Sequence, residues 1–219
     1  MSGAVDFLLL SVLVLDVYIL SSSRLFAAVR ASALQGAALA ALPLLLASGR
    51  GTEALVHASA MSLGTLAIKA IVIPLLLGRA IRIAGIRREA EPFVSLHLSV
   101  LIGAGLIGFA FVLSRHLVLP LPVPTAMLVP VALATLLLGC LILVVRRKAI
   151  TQVVGYLMVE NGVFVFGQAL SRQIPIVVEL GILLDLLVGV FVMGITIHHI
   201  SREFDHIDTD SLVALRDWP

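Results

Sequence analysis

Four ionisable side chains lie inside long apolar stretches of the sequence: Lys69, Glu160, Glu179 and Asp185. An ionisable group at membrane depth costs roughly 3 kcal/mol or more, so it usually marks a function or an oppositely charged partner. Burial disfavours the charged form of a carboxylate, whereas a nearby cation favours it. A carboxylate balanced between these two effects can take up and release a proton near neutral pH. The chemistry that we predict for these residues is therefore proton transfer.

Glu160 is the deepest carboxylate by sequence, because it lies near the middle of its apolar run. We predict that it belongs to a proton relay; the alternative is a hydrogen-bonded acid that only holds helices together. Glu179 and Asp185 lie on the next run, separated by about 9 Å along a helix axis and about 120° around it, so they do not share a face. We favour Asp185 as the second functional acid because it lies deeper, with a purely structural role as the alternative.

Lys69 lies about 15 Å from the inner end of its apolar run, which is too far for its amine to reach the interface easily. We therefore expect a buried partner or a water-filled cavity beside it. Pro74 follows in the same run and leaves the carbonyl of Ala70 without its usual helical hydrogen bond. A lysine can itself carry protons when burial favours its neutral form.

The remaining candidates are weaker. Asp16 and His97 lie closer to the ends of their runs, where ordinary interface or hydrogen-bonding roles explain them. We expect Gly103, Gly105 and Gly108 to allow close helix packing. The sequence contains no phosphate-binding glycine loop, no cluster of metal ligands and no nucleophile–base set at recognisable spacing. We therefore expect no cofactor or metal in this chain and no covalent chemistry by the chain alone.

Membrane-spanning helices must position these residues, because 60% of the 219 residues are hydrophobic and only 13% are charged. Soluble domains average about 45–50% apolar and about 25% charged residues. A spanning helix needs about 20 mostly apolar residues, and the alternation typical of barrel strands is absent. The sequence predicts an all-α, polytopic membrane protein, with seven spans at about 5–22, 31–49, 54–78, 93–114, 123–145, 151–170 and 175–199.

The basic residues predict that the N-terminus lies outside and the C-terminus in the cytoplasm. Of the 15 lysines and arginines, eleven fall in segments that this orientation places inside, three fall outside, and Lys69 falls within a span. Such clustering between apolar runs is typical of membrane topology and not of nucleic-acid binding. We divide the chain into a four-helix N-terminal extension (1–122), a three-helix region (123–200) and a polar cytoplasmic tail (201–219).

The sequence resembles two known membrane subunits, one over its C-terminal part and one over the whole chain. The part from Met127 to Pro219 resembles the three-helix K subunit of NADH–quinone oxidoreductase, with a glutamate mid-helix in its second span and an acid mid-helix in its third. The whole chain more closely resembles the component E family of hydrogenase-4, membrane subunits of nickel–iron hydrogenases of the formate hydrogenlyase kind. The segments that carry this resemblance are Lys148–Tyr156, which leads into Glu160–Gly162, and Val178–Gly189.

The resemblance implies a membrane-arm subunit of a hydrogenase or redox complex similar to respiratory complex I, in the bacterial or archaeal plasma membrane. It implies that Glu160 matches the second-helix glutamate on the proton-conducting axis of the K subunit and that Asp185 matches the third-helix acid, with Glu179 as the alternative match. Lys69 has no counterpart there. The implied partners are antiporter-like and other membrane subunits, the lipid bilayer, and soluble hydrogenase-like subunits that carry nickel–iron and iron–sulfur centres. The chain would contribute to proton translocation coupled to electron transfer without being catalytic alone.

Two other functions fit the same residues. The chain is a structural adaptor if its four extra spans dock antiporter-like subunits and its acids only form hydrogen bonds between helices. It is a subunit of a multicomponent sodium–proton antiporter if its resemblance to the K subunit is the more informative one, because a small antiporter subunit shares that resemblance. The extra spans and the residues around Glu160 favour the hydrogenase-like complex over the antiporter.

Overall fold

The structure is a computed structural model, and it describes residues 2–49, 51–83, 93–117 and 123–170. These residues form helices joined by short connections, and no strand occurs among them. A π-helical segment, Leu66–Val72, joins α3 to α4 within one continuous span. The helices are α1 (Ser2–Ser21), α2 (Leu25–Ala47), α3 (Thr52–Thr65), α4 (Ile73–Ile83), α5 (Leu96–His116), α6 (Leu128–Val145) and α7 (Ala149–Leu170).

Six helical spans in the described part of the chain are long and apolar enough to cross a membrane. They correspond to the first six predicted spans, so the chain is a membrane protein whose described residues are helical between their connections. The seventh predicted span, 175–199, lies outside the described residues, together with Glu179, Asp185 and the tail 201–219. The total number of spans and the orientation of the termini stay predictions.

The second span begins earlier than its apolar run predicts. Helix α2 begins at Leu25 and not near residue 31, so Arg30 lies inside the helix and not in the preceding connection. A long arginine side chain permits this, because its apolar stem lies along the helix while its charged end reaches toward the interface. The third span is also longer than predicted, since its last helix ends at Ile83.

The core lies between α1, α2, α6 and α7. Two clusters of buried apolar side chains fill the space between these helices, and α4 adds apolar side chains to one of them. Helices α3 and α5 lie at the edge, with large apolar side chains such as Val56 and Leu101 exposed. Exposed apolar side chains on a spanning helix contact lipid tails or other membrane subunits, so they agree with a membrane location.

The connection between α6 and α7 closes over the end of α1. Arg146 is buried, and its Nη2 donates a hydrogen bond to the carbonyl of Leu20 near the C-terminus of α1. A cation is favourable there because the helix dipole is negative at that end. Arg24 also follows the end of α1, so two of the segments predicted to lie inside share one face of the membrane.

Helices α6 and α7 approach each other at the level of their backbones. A Cβ added to Gly139 would lie 2.6 Å from the amide nitrogen of Val159, and one added to Gly162 would lie 2.7 Å from that of Leu136. Small residues permit such contacts between membrane helices. The close packing predicted for Gly103 is confirmed by the side chain of Leu20, against which a Cβ would clash.

Gly105 and Gly108 show no such packing in the described part of the chain, where nothing lies within 4 Å of an added Cβ. Both lie on the exposed face of α5, because Gly103 already occupies the face that packs on the core. A glycine in a nearly uniformly apolar helix therefore does not by itself identify the packed face.

The backbone contact between α6 and α7 predicts that Gly139→Ala is destabilising. The new methyl group must push the helices apart, and we expect a loss of about 1–3 kcal/mol in the free energy of unfolding. The measurement is the unfolding midpoint of the purified chain in detergent. The matched control is Gly105→Ala, which meets open space and gains up to about 1 kcal/mol of helix propensity. Equal effects of the two substitutions would contradict this account.

Candidate functional site

A lysine and a glutamate form an ion pair in the centre of the helix bundle. The Nζ atom of Lys69 lies 2.7 Å from Oε1 of Glu160, and the two side chains are 4% and 2% exposed. Lys69 belongs to the third span and Glu160 to the middle of α7, so two helices distant in sequence contribute one charge each. The buried partner expected for Lys69 is therefore Glu160.

The backbone around Lys69 is a wide turn and not a regular α-helix. Pro74 has no N–H with which to donate to the carbonyl of Ala70. The N–H of Ile73 donates to the carbonyl of Ile68, five residues back, so the π-helical segment ends directly before the proline. Single π-helical turns within helices occur frequently at functional sites. Here the turn sets the direction in which Lys69 leaves the third span.

Helix α2 holds the backbone of this turn in place. A Cβ added to Gly36 would lie 2.8 Å from the Cβ of Lys69 and 3.1 Å from its carbonyl carbon. Only a residue without a side chain permits this approach. The position of Lys69 along the bundle is thus fixed by direct contact with α2.

The amine of Lys69 has two further partners on α7. It donates a hydrogen bond of 3.0 Å to Oδ1 of Asn161, and it lies 5.3 Å from the centre of the Phe164 ring. Removing an ammonium group from water costs several kcal/mol, and the ion pair, the amide and the aromatic face together offset that cost. These contacts keep a charge in an environment that would otherwise exclude it.

A chain of buried hydrogen bonds leads from this pair to Asp16 on α1. Nδ2 of Asn161 donates to Oε1 of Gln35 at 3.1 Å, and Nε2 of Gln35 donates to Oδ1 of Asp16 at 2.6 Å. The hydroxyl of Thr135 on α6 donates to Oδ2 of Asp16 at 2.6 Å. Five of the spans therefore contribute to one polar network, and each of its side chains is buried.

The two acids of the network differ in how their oxygens are satisfied. Both oxygens of Asp16 accept hydrogen bonds from neighbouring side chains. Glu160 faces Lys69 with Oε1, whereas its Oε2 makes no hydrogen bond with the residues that the structure describes. A buried carboxylate oxygen without a partner is costly, so it favours the arrival of a proton or a water molecule. Among the described residues, therefore, only Asp16 has a hydrogen-bond donor at each of its carboxylate oxygens.

The structure describes two of the four predicted proton-transfer residues. It brings Lys69 and Glu160 together, whereas Glu179 and Asp185 lie outside the described residues. Of the two roles expected for Asp16, the structure shows hydrogen bonding to neighbouring helices and not contact with the interface, since the side chain is fully buried. His97, by contrast, is exposed near the start of α5.

Three polar residues of the network escaped the sequence analysis: Gln35, Thr135 and Asn161. Each interrupts an apolar run, and that signal was present in the sequence. Uncharged polar side chains are common in membrane helices because burying them there costs little free energy. The signal is therefore weak without knowledge of which face of the helix is buried.

The chain is similar to an uncharacterized bacterial protein and, over part of its length, to a hydrogenase component. It is 38% identical over 214 residues to the uncharacterized protein Rv0085 of Mycobacterium tuberculosis, covering 97% of this chain and 96% of that protein. It is 36% identical over 86 residues to hydrogenase-4 component E of Escherichia coli K12 and of Shigella flexneri.

The similarity to component E is partial, since it spans 39% of this chain and 40% of that protein. No protein-family model and no solved structure matches the chain. The similarity to Rv0085, by contrast, extends over nearly the full length of both proteins. The chain therefore belongs to the same family as Rv0085 of Mycobacterium tuberculosis.

Proposed function

We propose that this chain is a membrane subunit of a hydrogenase-related redox complex, in which Glu160 and Lys69 take part in proton translocation coupled to electron transfer. The observation that carries the proposal is the ion pair between these residues, buried near the middle of the helix bundle. Charged residues at membrane depth face the interior of a bundle and mark proton or ion pathways in membrane proteins.

The pair can exist in two forms that differ by the position of one proton. In the ionic form Lys69 holds the proton, and in the neutral form the proton lies on Glu160. The balance between the forms depends on desolvation and on the charges of neighbouring groups. A charge change in an adjoining subunit would therefore shift the balance, and Oε2 of Glu160 is the atom at which a proton would enter or leave.

The network toward Asp16 has a different part in this mechanism. Side-chain amides such as Asn161 and Gln35 donate and accept hydrogen bonds, but they do not readily give up protons. This arm therefore orients Lys69 and transmits the field of Asp16. Protons would reach Glu160 from the side of Oε2, through water and the acids Asp185 or Glu179 of the predicted seventh span.

The similarity to component E of hydrogenase-4 supports the placement in a multisubunit complex. In this proposal the complex lies in the plasma membrane, with the N-terminus of this chain outside and its tail in the cytoplasm. Antiporter-like membrane subunits continue the proton path, and soluble subunits carry the nickel–iron and iron–sulfur centres. This chain holds no such centre and catalyses no reaction alone.

A structural adaptor is the second candidate function. The observation that favours it is the hydrogen-bond network itself, because it connects five of the spans and would fix their arrangement without moving a proton. In an adaptor, α3 and α5 would dock the antiporter-like subunits with their exposed apolar faces. A subunit of a multicomponent sodium–proton antiporter would use the same residues without a redox partner.

The proposed relay predicts that Glu160→Gln uncouples proton movement from electron transfer. The amide cannot take up a proton, so we expect donor-driven proton pumping to fall by about 100-fold, the size of a typical general acid–base contribution. The measurement is pumping in vesicles that carry the whole complex, with donor oxidation followed in parallel.

The matched control is Glu53→Gln, which neutralises an exposed carboxylate in the first turn of α3. We expect this variant to pump normally. Normal pumping by an assembled Glu160→Gln complex would reject the relay and favour the adaptor.

The ion pair also predicts non-additive effects on stability. Glu160→Gln removes the negative charge beside the Lys69 amine, and Lys69→Met removes the positive charge beside the Glu160 carboxylate, so each single variant should lose about 3 kcal/mol in the free energy of unfolding. The double variant leaves no buried charge at this position and should lose clearly less than the sum. Unfolding of the purified chain in detergent measures all three, and additive losses would exclude a direct interaction in the folded protein.

A further inference from the structure

A large groove opens between α1, α2 and α4, away from the buried network. Its volume is about 1070 Å³, slightly above the range of about 300–1,000 Å³ typical of small-molecule sites. It lies where α1 ends, α2 begins and α4 ends, so it lies at one surface of the membrane. Its lining includes Val14, Arg24, Arg30, Leu34 and Arg82.

Three arginines give this groove a strong positive charge. Arg24 precedes α2, Arg30 lies in the second turn of α2, and Arg82 lies in the last turn of α4. Within the described ranges none of the three forms an ion pair, and no carboxylate lines the groove. Arginine presents a planar set of donors that matches the oxygens of a phosphate group.

The rest of the groove is apolar and faces outward. Val14 and Leu34 are 68% and 62% exposed, which leaves their side chains open to the bilayer. Leu34 lies one turn beyond Arg30 on α2, or about 6 Å deeper in the membrane. The groove therefore changes from cationic at the membrane surface to apolar toward the membrane centre.

We propose that this groove binds one anionic phospholipid of the bilayer. The phosphate and the anionic headgroup contact Arg24, Arg30 and Arg82, and the upper part of an acyl chain lies against Val14 and Leu34. The charge complementarity identifies the ligand, because three arginines without a carboxylate attract an anion and the apolar wall requires a long hydrocarbon chain. Basic pockets between spanning helices are sites at which anionic lipid headgroups bind.

The test is native mass spectrometry of the purified full-length chain after exchange into mixed micelles of phosphatidylglycerol and phosphatidylethanolamine. We expect the wild type to retain one phosphatidylglycerol in preference to phosphatidylethanolamine. Arg30→Gln should weaken this retention about fivefold, since each basic side chain near an anionic lipid contributes about 1 kcal/mol. Arg30→Lys keeps the charge and should retain most of the preference.

The matched control is Arg79→Gln, which removes one exposed charge from α4 outside the groove. This variant should bind phosphatidylglycerol like the wild type. Equal losses in Arg30→Gln and Arg79→Gln would overturn the proposal, because they would indicate attraction to the whole surface. Equal retention of the two lipids by the wild type would overturn it as well.

Discussion

The ion pair between Lys69 and Glu160 is the constraint on which the interior of this protein depends. Two opposite charges in an apolar bundle are tolerated only when they lie close together and when other polar groups form hydrogen bonds with their remaining donors and acceptors. The π-helical turn before Pro74 sets the direction of the Lys69 side chain. Gly36 has no side chain, so α2 can contact the backbone of Lys69 directly. Asn161 accepts a hydrogen bond from the Lys69 amine. The unusual local features of the bundle thus converge on one pair of side chains.

The two buried acids of the polar network, Asp16 and Glu160, differ in the hydrogen bonds that their carboxylate oxygens accept. Asp16 accepts hydrogen bonds from α2 and α6, one at each carboxylate oxygen, so its carboxylate connects helices. Glu160 keeps one oxygen without a partner among the described residues. A network built only for rigidity gains nothing from that oxygen, because an unsatisfied buried acceptor is destabilising. This asymmetry supports a role in proton movement more directly than burial alone.

The sequence predicts the presence of the first six spans well, because length and apolar content suffice for that purpose. It also identifies Lys69 and Glu160 one by one, since the cost of burying a charge is visible in any apolar run. It does not predict their pairing. The spanning helices are apolar nearly all round, so no stripe indicates which face is buried. For the same reason Gly105 was expected to pack like Gly103, although only Gly103 has a close neighbour among the described residues. The burial of Asp16 depends on lateral packing, which its distance from the helix end does not reveal.

The contact of Gly36 with Lys69 has a consequence for how the bundle can move. Because α2 and the third span touch at their backbones, they can shift only together. Helices α6 and α7 are joined in the same way through Gly139 and Gly162. The bundle therefore contains two stiff pairs of helices, and the distance between Lys69 and Glu160 measures the separation of one pair from the other. A sliding motion of about 1 Å between these pairs, too small to expose the core, is enough to lengthen the ion pair between Lys69 and Glu160.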